Sequence, residues 1–223
     1  MKVTGSKNYS RVNRSFSSAA RYYSQLAPWY DLLASSEKRF IRSGLTLLNP
    51  QPNDLILEIG FGTGYALQWI VPLLRNGFYA GLDLSPGMAY VAQKRFRRAG
   101  LTGAAGLVCS DSLPIPLKAN TFDAIFTSFT LELFDTPQIP ILLGEMRRVL
   151  KPGSRLVVVS LSKDQPLGIM GRFYERFHNH FPTLADCRPI PVQQLLLENG
   201  FSIEDMEISS MWGLPVILVK GSP

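Results

Sequence analysis

The chain has 223 residues, 46% hydrophobic and 18% charged, with 18 glycines, 16 prolines and two cysteines. That suits one globular unit and excludes disordered, fibrous and disulfide-framework classes, while no apolar run nears the ~20 residues needed to span a bilayer. The net charge of +6 lies entirely in residues 1–42, where eight basic side chains meet only Asp31 and Glu37.

The basic opening suits an anionic lipid surface, nucleic acid or plain solvation. After it, "YYSQLAPWYDLL" and "EKRFIRSGLTLL" have helical spacing and stop at Pro50 and Pro52. "DLILEIG" reads as a buried strand and "YALQWIVPLLR" as a helix that Pro72 kinks or ends. "GFYAGLD" is a strand, "PGMAYVAQKRFRRAG" a helix, "GAAGLVCSD" a weak strand and "FDAIFTSF" a strong one. The helix "PQIPILLGEMRRVL" stops at Lys151-Pro152-Gly153 before the strand "RLVVVSL". "LGIMGRFYERFHNHF" is a helical cap, "PVQQLLLENG" a short helix, and "FSIEDMEIS" and "GLPVILVK" a closing strand pair.

Strands alternating with helices predict an α/β fold: a doubly wound, mostly parallel seven-stranded sheet with helices on both faces. The short link at Met211-Trp212-Gly213 allows only a hairpin, so one antiparallel strand is expected near the C-terminus. The expected organisation is one domain over 1–223. It comprises a basic helical arm (1–50), a ligand-binding core (51–161), a helical cap (162–190) and a final helix and strand hairpin (191–223). Cys109 and Cys187 lack metal-ligand spacing and suit a reducing, cytoplasmic setting; no metal site is expected.

"LEIGFGTGY" places Gly60, Gly62 and Gly64 straight after the first strand. The spacing G-x-G-x-G differs from the dinucleotide fingerprint G-x-G-x-x-G. Glu58 interrupts the apolar strand, where a lone carboxylate would be costly, so it should accept a hydrogen bond from the turn or from an ammonium group. Asp83 ends the second strand, placed for ribose hydroxyls, and Asp111 ends the third, placed for an exocyclic amine. Three acids on successive strand ends suit a cofactor with ribose and adenine but no pyrophosphate, as in S-adenosylmethionine.

On these residues the chain resembles the class I S-adenosylmethionine-dependent methyltransferases. "LEIGFGTGY" is similar to that family's first motif and "GLDLSPGM" to its acidic ribose loop. "CSDSLPIPLKANTFDAIFTSFTLELF" and "EMRRVLKPGSRLVVVS" resemble the adenine loop, fourth strand and Lys-Pro-Gly turn, all in order over roughly 54–160. The resemblance implies that Gly60, Gly62 and Gly64 lie under the methionine portion, with Asp83 on the ribose and Leu84 and Met88 against the adenine. It places Asp111 on the adenine amine with Ser112 and Leu113 beside it, and Ser128 near the transfer site.

"YYSQLAPWYD" resembles a Y-D-x-x-A-x-x-Y-D segment of the ubiquinone/menaquinone C-methyltransferases and related phospholipid and small-molecule enzymes. Tyr23, Ala27, Tyr30 and Asp31 match it, and Ser24 replaces its first Asp. The resemblance implies that Tyr23 and Tyr30 cover the cofactor. The aromatic cap, with the basic arm, points to a small lipophilic acceptor such as a quinol or phospholipid headgroup, taken from a membrane surface. Candidates for moving a proton are Glu132, His178 and His180. The alternatives are a nucleic-acid methyltransferase, a nicotinamide-dinucleotide oxidoreductase and a catalytically silent S-adenosylmethionine-binding protein. The sequence after the fourth strand, Ser128-Phe129-Thr130, lacks the N/D-P-P-Y/F run of enzymes that methylate base amines.

Overall fold

The computed structural model describes residues 15–101, 103–164 and 188–223. Seven strands form one sheet: β1 Leu55–Ile59, β2 Phe78–Asp83, β3 Ala105–Cys109, β4 Phe122–Ser128, β5 Leu150–Leu161, β6 Ser202–Met211 and β7 Leu214–Ser222. Their order is β3-β2-β1-β4-β5-β7-β6. The first five are parallel, and β7 runs antiparallel to both β5 and β6. The link between β6 and β7 is Trp212-Gly213, both at positive φ (54° and 80°), the backbone a two-residue hairpin requires.

The helices are α1 Phe16–Leu26, α2 Tyr30–Leu33, α3 Lys38–Leu48, α4 Leu67–Ile70, α5 Pro86–Arg98, α6 Gln138–Val149 and α7 Val192–Glu198. Side chains alternate along a strand, so each central strand feeds two cores. Ile56, Phe126, Val157, Val159 and Leu218 join α3 and α4 on one face. Leu57, Ile125, Leu156, Val158 and Ile217 join α6 and α7 on the other. Strands buried on both faces must be apolar throughout, which explains runs such as "RLVVVSL".

Three boundaries differ from the sequence reading. Residues 22–33 form two helices, because Pro28 has no N–H to continue α1 and the chain turns before α2. Pro72 shortens the next helix to α4 and one 3-10 turn, Val71–Leu73. Lys151-Pro152-Gly153 is a bulge inside β5 rather than a break before it. Leu150 pairs with Phe122 and Arg155 with Ala124, leaving residues 151–154 opposite Asp123 alone. Lys151 Nζ then reaches Asp123 at 2.7 Å. The expected cap helix, with His178 and His180, lies outside the described residues.

Strand order reverses between β1 and β4, since β2 and β3 extend one way and β5 the other. In an open α/β sheet the carboxyl ends of the strands part at such a reversal, and the loops that follow them enclose a crevice.

Candidate active site

A cleft opens at this reversal, floored by the turn after β1. Gly60 has φ +76°, and a Cβ there would lie 2.1 Å from the Thr130 hydroxyl, so the turns after β1 and β4 pack directly together. Gly62 has φ +51°, and a Cβ there would meet nothing within 4 Å. It presents bare backbone to whatever enters the cleft.

Asp83 holds that turn in place. Its Oδ2 accepts from Gly62 N–H and its Oδ1 from Ser85 N–H, each at 2.8 Å. Burial raises its pKa, and the two N–H donors oppose the rise. Each oxygen keeps a lone pair for a ligand hydroxyl. Glu58 is 2% exposed at the cleft floor and accepts a hydrogen bond from the Tyr79 hydroxyl. Burial pushes its carboxyl up to about 8, with the Tyr79 hydrogen bond opposing and the Asp83 charge adding. An incoming cation would offset that cost.

Asp111 lines the cleft beyond β3, and its Oδ1 accepts from Leu113 N–H at 3.2 Å. The following loop is fastened from below by α6. Glu145 Oε2 accepts from Ile115 N–H at 2.9 Å, while Arg148 donates to the Ile115 and Leu117 carbonyls, also at 2.9 Å. Sequence reasoning missed this pair, because a Glu and an Arg three apart on a helix look like a solvated couple.

Tyr23, Tyr30, Leu84, Met88, Ser112 and Ser128 also border the cleft. Three expected residues do not. Gly64 is turned into the fold, where a Cβ would lie 3.1 Å from Ala92 Cβ, so it seats the turn on α5. Leu113 packs against the core shared with α6. Glu132 is fully buried, accepting from the Ser160 hydroxyl at 2.9 Å and Leu161 N–H at 3.2 Å; it fastens the turn after β4 to β5. Its expected place on the acceptor side is corrected: those donors draw it inward.

The N-terminal segment forms the opposite wall. Asp31 accepts from the Thr63 hydroxyl at 2.5 Å and pairs with Arg95 of α5. Ser24 shares a hydrogen bond with the Ser85 hydroxyl at 2.9 Å and accepts from Gly87 N–H at 3.1 Å. The Tyr23 and Tyr30 rings meet edge-on, 6.5 Å apart. Glu37, absent from the sequence candidates, is the carboxylate this wall contributes together with Asp31. Burial pushes Glu37 up to about 8 and the charge of Glu132 adds, while a hydrogen bond from Tyr30 opposes. Its only sequence signal was an acid in an otherwise basic stretch.

These groups together suit an adenosine-bearing ligand. A bare glycine backbone, two rim carboxylates and an apolar slot at Leu84 and Met88 surround one cleft, with a buried carboxyl suited to a cation. Among the described residues no group of His, Cys, Asp and Glu is arranged to hold a metal ion.

Residues 56–153 match a family model described as a methyltransferase domain. The chain is 30% identical over 170 residues to a ubiquinone/menaquinone biosynthesis C-methyltransferase of Allorhizobium ampelinum, covering 74% of this chain and 64% of that one. It is 29% identical over 206 residues to a demethylmenaquinone methyltransferase of Thermus thermophilus, covering 81% and 91%. Against the Allorhizobium enzyme, and a second from Sinorhizobium fredii at 63%, the chain spans a little under two thirds of the relative's length. Among solved structures, the [4+2]-cyclase SpnF superposes with a TM-score of 0.76 at 17% identity, covering 94% of this chain and 97% of that one. A geranyl diphosphate methyltransferase in complex with S-adenosylmethionine gives 0.66 at 16% identity, covering 83% and 85%. At such identities these two show the fold alone.

Proposed function

The chain belongs to the class I S-adenosylmethionine-dependent methyltransferases, and on that footing we propose that it methylates a small lipophilic acceptor such as a quinol or a phospholipid headgroup. The observation that carries this reading is a cleft with Asp83, Asp111 and the Gly62 backbone on one wall and Tyr23, Tyr30 and Glu37 on the other. Relatives named for ubiquinone and menaquinone methylation support the acceptor class.

S-Adenosylmethionine, when bound, supplies a methyl group activated on a sulfonium. In this reading residues 51–161 hold it. Asp83 would take the ribose hydroxyls and Asp111 the adenine amine, with Ser112 beside it and Leu84 and Met88 against the ring. Glu58 would receive the ammonium, and Gly60 and Gly62 would lie along the methionine portion. Tyr23, Tyr30 and Ser128 border the transfer site. Methyl displacement has a good leaving group, so aligning the partners and excluding water supplies most of the acceleration. Where the acceptor must lose a hydroxyl proton, Glu37 accepts it. Glu132 does not, being committed to Ser160 and Leu161. The enzyme works from the cytoplasm at a membrane surface, approached through its basic arm; among the described residues no helix is long and apolar enough to cross a membrane.

The test incubates the protein with methyl-labelled S-adenosylmethionine, total lipid extract and a prenylated 1,4-naphthohydroquinone, then resolves the products. Label in the quinol or lipid fraction is expected. Label confined to protein or nucleic acid, or none with cofactor bound, overturns the reading.

A further inference from the structure

Beside the cleft mouth the surface is apolar in an unusual way. Trp29, which caps the N-terminus of α2, and Leu32 and Leu33 on that helix are 67%, 72% and 58% exposed. Nearby, two basic residues of α3 lie over two aromatic rings one helical turn apart. Lys38 Nζ is 5.6 Å from the Tyr65 ring and the Arg42 guanidinium 5.9 Å from the Trp69 ring. Lys38 and Tyr65 also line the cleft, so this strip begins at its lip and runs outward through Trp69 and Leu73, which are half exposed.

The charge on this rim has one sign. Residues 29–53 hold two acids, and both are engaged. Asp31 pairs with Arg95 and Thr63, and Glu37 borders the cleft. Lys38, Arg39 and Arg42 remain, and residues 64–80 contain Arg75 and no acid. Exposed Trp and Leu among basic residues are what an anionic bilayer interface accepts: rings and aliphatic groups enter the headgroup layer while cations meet lipid phosphates. We infer that α2 and the Lys38–Tyr65/Arg42–Trp69 strip form a docking rim for an anionic membrane, which sets the cleft mouth against the bilayer so that a lipid-dissolved acceptor enters without crossing water. This deepens the lipophilic-acceptor reading and rests on it.

The test is co-sedimentation with vesicles of phosphatidylcholine alone and of phosphatidylcholine with about one third phosphatidylglycerol, whose negative surface potential attracts basic segments. Anionic vesicles should retain the full chain at least fivefold better, and salt should weaken the retention. The variant W29S/L32S/L33S should lose most of it while keeping S-adenosylmethionine affinity in calorimetry, since these side chains lie outside the cleft. With Trp69 and Trp212 changed to Phe, Trp29 fluorescence should be quenched by brominated lipid. Equal retention of the triple variant, or no quenching of Trp29, overturns the rim. So does a dimer that the same changes dissociate, or displacement of the vesicles by RNA that binds this surface. Methyl transfer to the quinol or lipid fraction in the same preparation separates the two readings. Transfer without vesicle retention refutes the rim alone, whereas vesicle retention with no label in quinol or lipid refutes the lipophilic-acceptor reading.

Discussion

Asp31 accepts a hydrogen bond from the Thr63 hydroxyl at 2.5 Å, joining the N-terminal wall to the glycine turn. The same carboxylate pairs with Arg95, so one side chain ties α2 to both the turn and α5. Asp31→Ala should release the N-terminal wall and weaken S-adenosylmethionine binding by about 1–2 kcal/mol, roughly 5- to 30-fold, discounted because the pair is partly exposed. Asp31→Asn keeps an acceptor for Thr63 but loses the charge facing Arg95, so its affinity should fall between the two. Calorimetric titration of the three proteins checks the order.

The two floor glycines should respond differently. Alanine at either carries about 1–2 kcal/mol of left-handed backbone strain. At Gly60 the methyl also collides with Thr130, so Gly60→Ala should lower the melting temperature well beyond the strain alone. At Gly62 the methyl meets no protein atom and points into open cleft. Gly62→Ala should therefore melt within a few degrees of wild type yet lose cofactor affinity more than tenfold. Thermal melts paired with titrations separate the effects; equal affinity for Gly62→Ala would place the ligand elsewhere.

What the sequence made legible follows from which forces act locally. Strands apolar on both faces announce a covered parallel sheet, and a glycine turn with acids at successive strand ends announces the rim. The positions of Asp83 and Asp111 beside the cleft were readable because strand ends fix direction. Gly64 was misplaced because spacing alone does not say which glycine faces the ligand and which faces α5; only Ala92, 28 residues later, decides that. Glu132 was misplaced for a related reason, since its donors come from β5. Glu37 was overlooked because its neighbours Tyr30 and Glu132 meet it only through tertiary packing.

Glu58 makes cofactor binding proton-linked. Burial holds its carboxyl at about 8 in the ligand-free protein, so at pH 7 it is mostly protonated. A cofactor ammonium beside it favours the charged form and expels the proton. Affinity should therefore rise as pH goes from 6 to 8. Calorimetry in buffers of different ionisation enthalpy should register proton release near pH 7. Glu58→Gln should abolish both effects and bind more weakly; an unchanged pH dependence would remove Glu58 from the ammonium site.

Glu37 gives a kinetic signature of the same sign. Its carboxyl must be ionised to take a proton, and burial followed by the charge of Glu132 holds it near 8. With a hydroxylated acceptor, kcat/KM should climb through pH 7–8. Glu37→Gln should lower kcat by about 10²–10⁴-fold and flatten the climb, with cofactor affinity unchanged. A variant that loses rate but keeps the limb would show that Glu37 only shapes the wall.

Stability should follow pH in a direction set by three acids. Glu37 and Glu58 sit near 8 and Glu132 near 7, each raised chiefly by burial from 4.5. A carboxyl raised in the folded state binds protons that the unfolded chain has released, so its contribution is fully present below about 4.5. That contribution is lost as pH rises through the folded value. Asp123, Glu145 and Glu204 are lowered, with opposing lysine or arginine partners, so they act in the opposite sense but only as pH falls into the acid range. Between pH 5 and 8 the raised group dominates, and the ligand-free protein should lose melting temperature steadily. Glu132→Gln keeps an oxygen for Leu161 N–H and an amide that can donate to Ser160, while removing the buried charge. Relative to wild type it should gain about 1–3 kcal/mol on going from pH 5 to pH 8. Chemical denaturation at the two pH values measures this directly, and parallel slopes would show that Glu132 is not what the rising pH ionises.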